Sequence, residues 1–235
     1  MKNSSSSPRR SGTRDRILNV ALNLLNARGL ERVTTRLIAD SARINEGNLY
    51  YYFRTKEALC LALFAKLEAE ALRLFSMAAP QGSSLQPYIV MLRNWLLLSW
   101  SYRFLFRDIG AFGAGSPALR HRVRRLSFML RTEMERILDD LRNHGLIALP
   151  EAEQEHLLAN LWIVGSYWMS YLVLYQGVRT IRPVHLTWGL TQLQSLYEPY
   201  LTEKGRQQLA TLQVEDMSLP PEKAKTPNSD TAAAR

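Results

Sequence analysis

Residues 34–53, TTRLIADSARINEGNLYYYF, have the spacing of two short helices joined by a tight turn. Five apolar or semi-apolar positions recur at helical intervals and predict one buried side: Ile38, Ala42, Ile44, Leu49 and Tyr52. Thr34 and Asn45 precede the two helical stretches, where a side-chain oxygen can cap free backbone N–H groups. Ala39 is small where the two helices must cross closely. The stretch therefore predicts a helix-turn-helix.

The second helix of this pair predicts a polar outward side. Gly47 lets the backbone come close to a partner, and the Asn48 amide can pair with the N7 and N6 edge of adenine. The Glu46 carboxylate can accept from cytosine N4. The tyrosines at 50–52 can present hydroxyls to phosphates, and Lys56 begins the next helix, where an ammonium suits a phosphate. These residue types predict a helix that lies in the major groove of duplex DNA.

The formal charge of +9 is concentrated at the front of the chain. Residues 1–60 contain eleven Lys and Arg against five Asp and Glu, a net +6, in about a quarter of the 235 residues. This asymmetry favours a polyanionic partner for the N-terminal part. Residues 1–12 are polar and basic, and we predict a disordered arm that is either a plain leader or a further DNA contact.

Helical periodicity, with Gly and Pro between the helices, continues to about residue 217. We predict an all-α fold: a three-helix helix-turn-helix domain over 13–59 and a larger helical domain over 60–217, followed by a disordered tail over 218–235. Ser116 before Pro117 predicts a helix start, and Gly145 predicts the end of that helix.

Several classes of protein are disfavoured by composition. The single cysteine, Cys60, excludes an intrachain disulfide and favours a reduced, cytoplasmic location. The four histidines are scattered without metal-ligand spacing, so we predict no metal site. No nucleophile–base set or phosphate-binding glycine loop is recognisable, so we predict no catalytic residues, no cofactor and no enzyme.

Residues 157–178 contain no charged side chain and are long enough to cross a bilayer. The stretch also contains two glycines, two serines, an asparagine and a glutamine, which is a high polar content for a membrane span. We therefore predict a helix at a homodimer interface, formed by residues 151–178 and 183–213, as a four-helix bundle with the second subunit. A membrane-associated helical protein is the alternative.

Residues 13–59 resemble the DNA-binding domain of the TetR (tetracycline-repressor) family. The resemblance rests on ILNVALNLLNARG, on TTRLIADSA and above all on GNLYYYFRTKEAL, which has the pattern Gly-X-Leu-Tyr-X-X-Phe followed after two residues by Lys-Glu-X-Leu. It implies DNA contacts at nine positions: Thr35, Arg36, Asn45, Gly47, Asn48, Tyr50, Tyr51, Tyr52 and Lys56.

Three residues depart from the family's pattern. Arg43 replaces the usual glycine of the turn, which predicts either a strained turn or an added backbone contact with DNA. Glu46 is acidic where many members are basic or neutral, so the operator preference of other members cannot be carried over. Tyr52 replaces a frequent histidine.

Residues 100–109 and 160–172 resemble the C-terminal region of one subfamily of bacterial transcriptional repressors. The resemblance implies a dimer that binds a palindromic operator and is released by a small-molecule effector; an architectural DNA-binding protein without an effector is the alternative. Seven residues are candidates for an effector pocket, with ordinary core packing as the alternative for each: Trp95, Trp100, Arg103, Phe104, Phe128, Trp162 and Trp168. Arg103 and Arg107 could together hold an anion, but pairing with Asp108 or a surface position explains them more plainly. The basic run 120–125 is predicted to be a solvated helix face, with attraction of an acidic ligand or flanking DNA as the alternative.

Overall fold

The computed structural model describes residues 8–77, 84–107 and 115–212, and over these residues the fold is all-α, as predicted. The helices are α1 (Pro8–Arg28), α2 (Thr35–Ser41), α3 (Glu46–Tyr52), α4 (Lys56–Met77), α5 (Gln86–Ser101), α6 (Pro117–Asn143), α7 (Glu151–Leu174), α8 (Pro183–Tyr197) and α9 (Glu203–Thr211). A 3₁₀ turn, Glu198–Tyr200, follows α8. Extended pairing in the described ranges is confined to one isolated bridge between Ile147 and Leu201.

Helices α1, α2 and α3 form a small bundle around a shared apolar centre. Ile38, Ala39 and Leu49 are each at most 1% exposed, because α2 packs against α1 and α3 packs against α2. The two predicted caps are confirmed: the Thr34 hydroxyl accepts from the N–H of residue 37, and the Asn45 side chain accepts from the N–H of residue 48. These caps set where each short helix begins, and so they orient its outward side.

Helix α4 continues from this bundle into the rest of the molecule. It contacts α1 at one end and packs against α5 and α6 along its length. The domain boundary that we predict between residues 59 and 60 falls inside this continuous helix. This helix therefore joins the helix-turn-helix to the C-terminal helices without a break.

Helix α5 is the central helix of the C-terminal half, since it contacts α4, α7 and α8. The indole Nε1 of Trp95 donates to the carbonyl of Gly165 at 3.2 Å and so joins α5 to α7. A Cβ at position 165 would lie 2.9 Å from that Nε1 atom, so glycine permits this close approach of the two helices. Ser116 caps α6 as predicted, and Gly145 (φ 65°) ends it.

Helix α5 ends at Ser101, although the sequence contains no Gly or Pro near that position and its helical periodicity continues. The reason is a buried amide on α1. The Asn26 side chain donates to the Ser101 carbonyl (2.7 Å) and accepts from the Phe104 N–H (3.1 Å). It thus replaces intrahelical hydrogen bonds at the break, and helix resumes over residues 103–107.

The N-terminal arm is shorter than predicted. Helix α1 begins at Pro8, so residues 8–12 of the predicted disordered segment are helical. Proline is well tolerated in a first helical turn, where its missing N–H has no partner to lose. Residues 1–7 and the predicted tail, 218–235, lie outside the described residues.

Helix α7 has the length and hydropathy of a membrane span. Its inner side packs against α5, α6 and α8, as expected of the core helix of a bundle. Its outer side carries an apolar stripe, which we define as Ile163, Tyr167, Tyr171, Leu174 and Tyr175, each between 43% and 79% exposed. The Tyr171 ring stacks on Trp188 of α8 with the planes 3° apart, so the two helices share this outer surface.

Candidate functional site

The predicted DNA-contacting residues form one surface around α2 and α3, and none of them is buried. Seven are exposed: Arg36, Arg43, Asn45, Gly47, Asn48, Tyr50 and Tyr51. Four are half-buried: Thr35, Glu46, Tyr52 and Lys56. The core positions Leu49 and Phe53 point the other way and are 1% and 4% exposed. Helix α3 therefore presents its polar side outward while its apolar side anchors it.

A hydrogen-bonded group at the start of α2 and α3 was not predicted from the sequence. The Thr35 hydroxyl donates to Glu46 Oε1 at 2.9 Å and lies 3.2 Å from the Tyr50 hydroxyl. The Tyr50 hydroxyl also reaches Glu46 Oε1, at 3.4 Å. One carboxylate oxygen of Glu46 is therefore used to join the two helices, and the predicted cytosine contact is left to the other oxygen. The spacing of 46 and 50, one helical turn, is the signal that could have indicated this pairing.

The tyrosines of α3 differ in their surroundings. Tyr51 is 63% exposed, whereas Tyr52 is half-buried and meets the Tyr51 ring edge-on at 5.3 Å between centroids. Behind them, the Arg14 guanidinium of α1 lies over the Phe53 ring, 5.2 Å from its centroid. The aromatic end of α3 is thus supported from α1 while the Tyr51 side chain faces outward.

Lys56 has a role inside the domain that the sequence did not predict. Its ammonium donates to the carbonyl oxygens of Leu30 (2.9 Å) and Val33 (3.1 Å) in the connection between α1 and α2. An ammonium has three donors, so at most one is left for a phosphate. Lys56 therefore uses most of its donors to hold the α1–α2 connection in place, and at most one donor is available for a contact with DNA.

Arg43 adopts the left-handed backbone conformation, with φ 53°, at the turn between α2 and α3. This conformation costs a non-glycine residue about 1–2 kcal/mol, partly offset by glycine's greater freedom in the unfolded chain. We expect Arg43→Gly to raise the free energy of unfolding by about 1 kcal/mol, measured by urea denaturation. Arg43→Ala is the control, since it removes the guanidinium and keeps the strain. If alanine stabilises as much as glycine, strain is not the cause.

The C-terminal half contains a main cavity of about 360 Å³ that is lined by residues of α4, α5, α6 and α7 and by Leu193 of α8, and that is open to solvent beside Phe128. A side cavity of about 110 Å³ adjoins it towards Phe64 and Leu67 of α4. Four residues line both cavities: Trp95, Ser127, Trp162 and Ser166. Of the seven predicted pocket residues, three line the main cavity: Trp95, Phe128 and Trp162.

The other four predicted pocket residues lie elsewhere. The Arg103 guanidinium lies over the Trp100 ring, 4.9 Å from its centroid, and donates to the Trp100 carbonyl. Phe104 is 1% exposed in the contact with α1, and the Trp168 indole donates to the Ser99 hydroxyl in the core. Aromatic character predicted burial correctly for Phe104 and Trp168, but not which buried surface borders a cavity.

Arg103 and Arg107 are both held by contacts within the molecule, and Asp108, the other partner considered for them, lies outside the described residues. Arg107 donates to the Leu25 carbonyl at the C-terminal end of α1, at 3.2 Å, and so joins the two halves of the molecule. Burial, and then the neighbouring charge of Arg107, lower the pKa of the Arg103 guanidinium below its ordinary value. Both arginines therefore stabilise the region of the helical break near residue 102.

The basic run 120–125 is not simply a solvated face. Arg122 and Arg125 of α6 both bind the carboxylate of Glu68 on α4, whose side chain is only 6% exposed. Arg122 also donates to the Leu61 carbonyl and lies over the Phe64 ring. The contacting residues are separated by 54 to 61 positions in the sequence, so the spacing along one helix could not indicate these contacts.

Over the ranges that the structure describes, no group of three or more His, Cys, Asp or Glu could hold a metal ion.

The chain matches two family models. The one described as bacterial regulatory proteins of the tetR family covers residues 17–63, and the one described as the TetR bacterial transcriptional repressor covers residues 66–209. A TetR-family transcriptional regulator from Marinobacter aquaeolei VT8 is similar in structure, with a TM-score of 0.76 and 30% sequence identity. That similarity covers 87% of this chain and 98% of the other.

Two further proteins are similar over part of the chain or at lower identity. The HTH-type transcriptional repressor KstR2 of Rhodococcus jostii (strain RHA1) is 44% identical over 50 residues, which are 21% of this chain and 24% of that repressor. The SmeT–triclosan complex is similar in fold, with a TM-score of 0.60 and 16% identity over 82% of this chain and 93% of SmeT. SmeT is the repressor of a Stenotrophomonas maltophilia efflux pump.

The fold combines a helix-turn-helix with a helical C-terminal half, and the two family models match residues 17–63 and 66–209. The chain therefore belongs to the TetR family of bacterial transcriptional regulators.

Proposed function

We propose that this regulator is a cytoplasmic repressor that binds a palindromic operator as a homodimer and is released when a small molecule binds in the main cavity. The observation that carries the DNA-binding part is the orientation of α3. Its leading polar residues, Gly47 and Asn48, are exposed while Leu49 anchors the helix in the core. A capped, rigid helix with an exposed polar tip fits the width of the major groove.

The proposed dimer interface is the apolar stripe of α7 together with the outer side of α8. Five large apolar side chains lie in line on one helix face, more than an isolated soluble subunit ordinarily exposes together. Two copies of this α7–α8 pair would form a four-helix bundle. Such a dimer can read two half-sites only if its reading helices match the spacing of about 34 Å between successive major-groove faces.

The proposed effector site is the main cavity. Its volume of about 360 Å³ lies within the range of small-molecule sites, roughly 300–1,000 Å³. Phe75 of α4 lines it, and α4 leads directly into the helix-turn-helix. A ligand that favours one position of α4 would change the distance between the two reading helices, and operator DNA would reciprocally weaken ligand binding.

Two substitutions on the DNA-facing surface separate base recognition from phosphate binding. We expect Asn48→Ala to weaken binding to the selected operator by about 1–3 kcal/mol per half-site while leaving binding to random DNA unchanged. Arg36→Ala should weaken both alike and lower the salt-dependence slope by about one per half-site. Fluorescence anisotropy at several salt concentrations measures both effects, with the exposed Asn143→Ala on α6 as a control. Equal losses on operator and random DNA for Asn48→Ala would show that α3 is not the reading helix.

Selection of genomic fragments by the purified protein supplies the operator for these measurements. A repressor of this kind should enrich a few palindromic sites, and the neighbouring genes would indicate the effector. An architectural DNA-binding protein would enrich no discrete site and would show only steep salt dependence. The selection therefore distinguishes the proposed function from its main alternative.

A further inference from the structure

The lining of the main cavity restricts the chemistry of what it can bind. Twelve of its sixteen lining residues are apolar, and the four polar ones are Ser127, Arg131, Glu155 and Ser166. A ligand inside would therefore bury most of its surface against hydrocarbon and aromatic rings. The four polar lining residues determine which polar groups the ligand must contain.

The two charged residues neutralise each other. The Arg131 guanidinium on α6 donates one hydrogen bond to each carboxylate oxygen of Glu155 on α7, and its Nε donates to Glu135. Their side chains are 43% and 63% exposed, so the pair lies at the mouth and not in the interior. Because this pairing leaves no unbalanced charge on the lining, burying an ionised ligand group in the cavity would be costly.

The two serines differ in how their hydroxyls are used. The Ser127 hydroxyl donates to the Val123 carbonyl of its own helix at 2.9 Å. The Ser166 hydroxyl is fully covered and has no hydrogen-bond partner among the residues that the structure describes. A buried hydroxyl without a partner is energetically unfavourable. Because Ser166 lines the cavity, rotation about its Cα–Cβ bond would expose the hydroxyl to a ligand group that could satisfy it.

Ser166 lies where the main cavity meets the side cavity, because it lines both. The side cavity extends to Phe64 and Leu67 of α4, the helix that carries the DNA-binding domain. A molecule that fills both cavities would have a larger apolar part in the main cavity and a smaller apolar part against α4, with Ser166 between them. The polar group that satisfies Ser166 therefore belongs between these two parts of the molecule.

We propose that the effector is an uncharged, largely apolar small molecule whose single polar group, between a larger and a smaller apolar part, forms a hydrogen bond with the Ser166 hydroxyl. This inference rests on the proposed function only in taking the cavity as the effector site. It names the class of compound and the residue that selects it. It also assigns discrimination against anions to the paired charges at the mouth.

A matched pair of fluorescent probes tests the class of ligand. N-phenyl-1-naphthylamine is neutral with one N–H between two apolar parts, and 1-anilinonaphthalene-8-sulfonate has the same rings with an added sulfonate. We expect the neutral probe to bind the full-length protein at least about tenfold more tightly, with energy transfer from Trp95 and Trp162. Equal or tighter binding of the sulfonate would overturn the proposed class.

Substitutions at Ser166 and at a serine outside both cavities test the proposed residue. Ser166→Ala should weaken the neutral probe about three- to tenfold, the usual effect of one lost hydrogen bond. The control is Ser195→Ala on α8, whose exposed hydroxyl donates to a carbonyl of its own helix, and it should leave probe binding unchanged. Ser166→Phe should abolish binding by filling the junction, with circular dichroism used to verify folding. If Ser166→Ala binds as the parent does, the assignment is wrong.

Operator release is measured separately with the same probe. Release by the neutral probe supports both this inference and the proposed function. If the probe binds through Ser166 without releasing DNA, the proposed effector mechanism fails and the ligand class stands. If only charged compounds release DNA, the ligand class fails and the effector mechanism stands.

Discussion

Leu174→Arg is expected to convert the protein to a monomer and to weaken binding to the palindromic operator by roughly 10²–10⁴-fold, because a second half-site no longer adds to the first. Leu174 is 76% exposed at the end of α7, so its side chain contributes little to the folding of one subunit. In the proposed four-helix bundle the same position is covered by the second copy. In a dimer of the variant, each subunit would bury one unpaired guanidinium in the interface.

The measurement is sedimentation velocity for the oligomeric state and fluorescence anisotropy for the operator. Met77→Arg is the matched control, because it places the same charge on another apolar residue, 63% exposed at the end of α4. The control should remain dimeric and keep its operator affinity. A Leu174→Arg protein that is still a dimer with unchanged affinity would place the interface elsewhere.

Glu68→Gln is expected to lower the free energy of unfolding by about 2–3 kcal/mol at neutral pH. The carboxylate is buried between α4 and α6 and accepts from both Arg122 and Arg125. An amide can accept from one guanidinium only and places its own N–H₂ donors against the other. The loss is smaller than for a fully enclosed pair, because the two arginine side chains are 30% and 59% exposed and can turn towards water.

The effect of this substitution should depend on pH with a definite sign. Burial alone would raise the pKa of the Glu68 carboxyl, but the hydrogen bonds and charges of Arg122 and Arg125 outweigh burial, and the pKa is lowered. A carboxyl whose pKa is lower in the folded state stabilises the fold above its unfolded pKa, about 4.3, and loses that contribution as pH falls through the folded value. The difference in the free energy of unfolding between the parent and the variant should therefore be constant near pH 7 and should become smaller below about pH 4.

Glu155→Gln is the control for Glu68→Gln. Glu155 is likewise paired with an arginine through both carboxylate oxygens, but the pair lies at the surface, where solvent screens it. Urea denaturation should show little change for this variant at any pH. Equal losses for the two variants would mean that the buried position of Glu68 does not matter.

Much of the N-terminal domain was predictable because its determinants are local. Thr34 and Asn45 cap the helices they precede, and Leu49 is buried at the spacing expected for α3. The positive φ at Arg43 also follows from its place in a turn that usually has glycine. Such features depend on residues within about one helical turn of each other, where period and chemistry are visible in the sequence.

The C-terminal half was less predictable because its determinants are distant. Aromatic residues on α5, α6 and α7 were expected to be buried or to line a pocket, but their sequence does not say which of them border a cavity. That depends on where four helices fail to fill the space between them, which is a property of the packed structure. Trp95 lines the cavity while Trp168 fills the core, although both are apolar positions of long helices.

The sequence by itself determined the helical class, the helix-turn-helix, its two caps and the polar tip of α3, since each is encoded within one or two helical turns. Only the tertiary structure decided that Lys56 holds the α1–α2 connection, that Asn26 breaks α5, and that Glu68 joins α4 to α6. Only packing placed Ser166 at the meeting of two cavities. The difference is physical: hydrogen bonds, charge pairs and voids between distant helices depend on three-dimensional proximity, which periodicity along one helix does not specify.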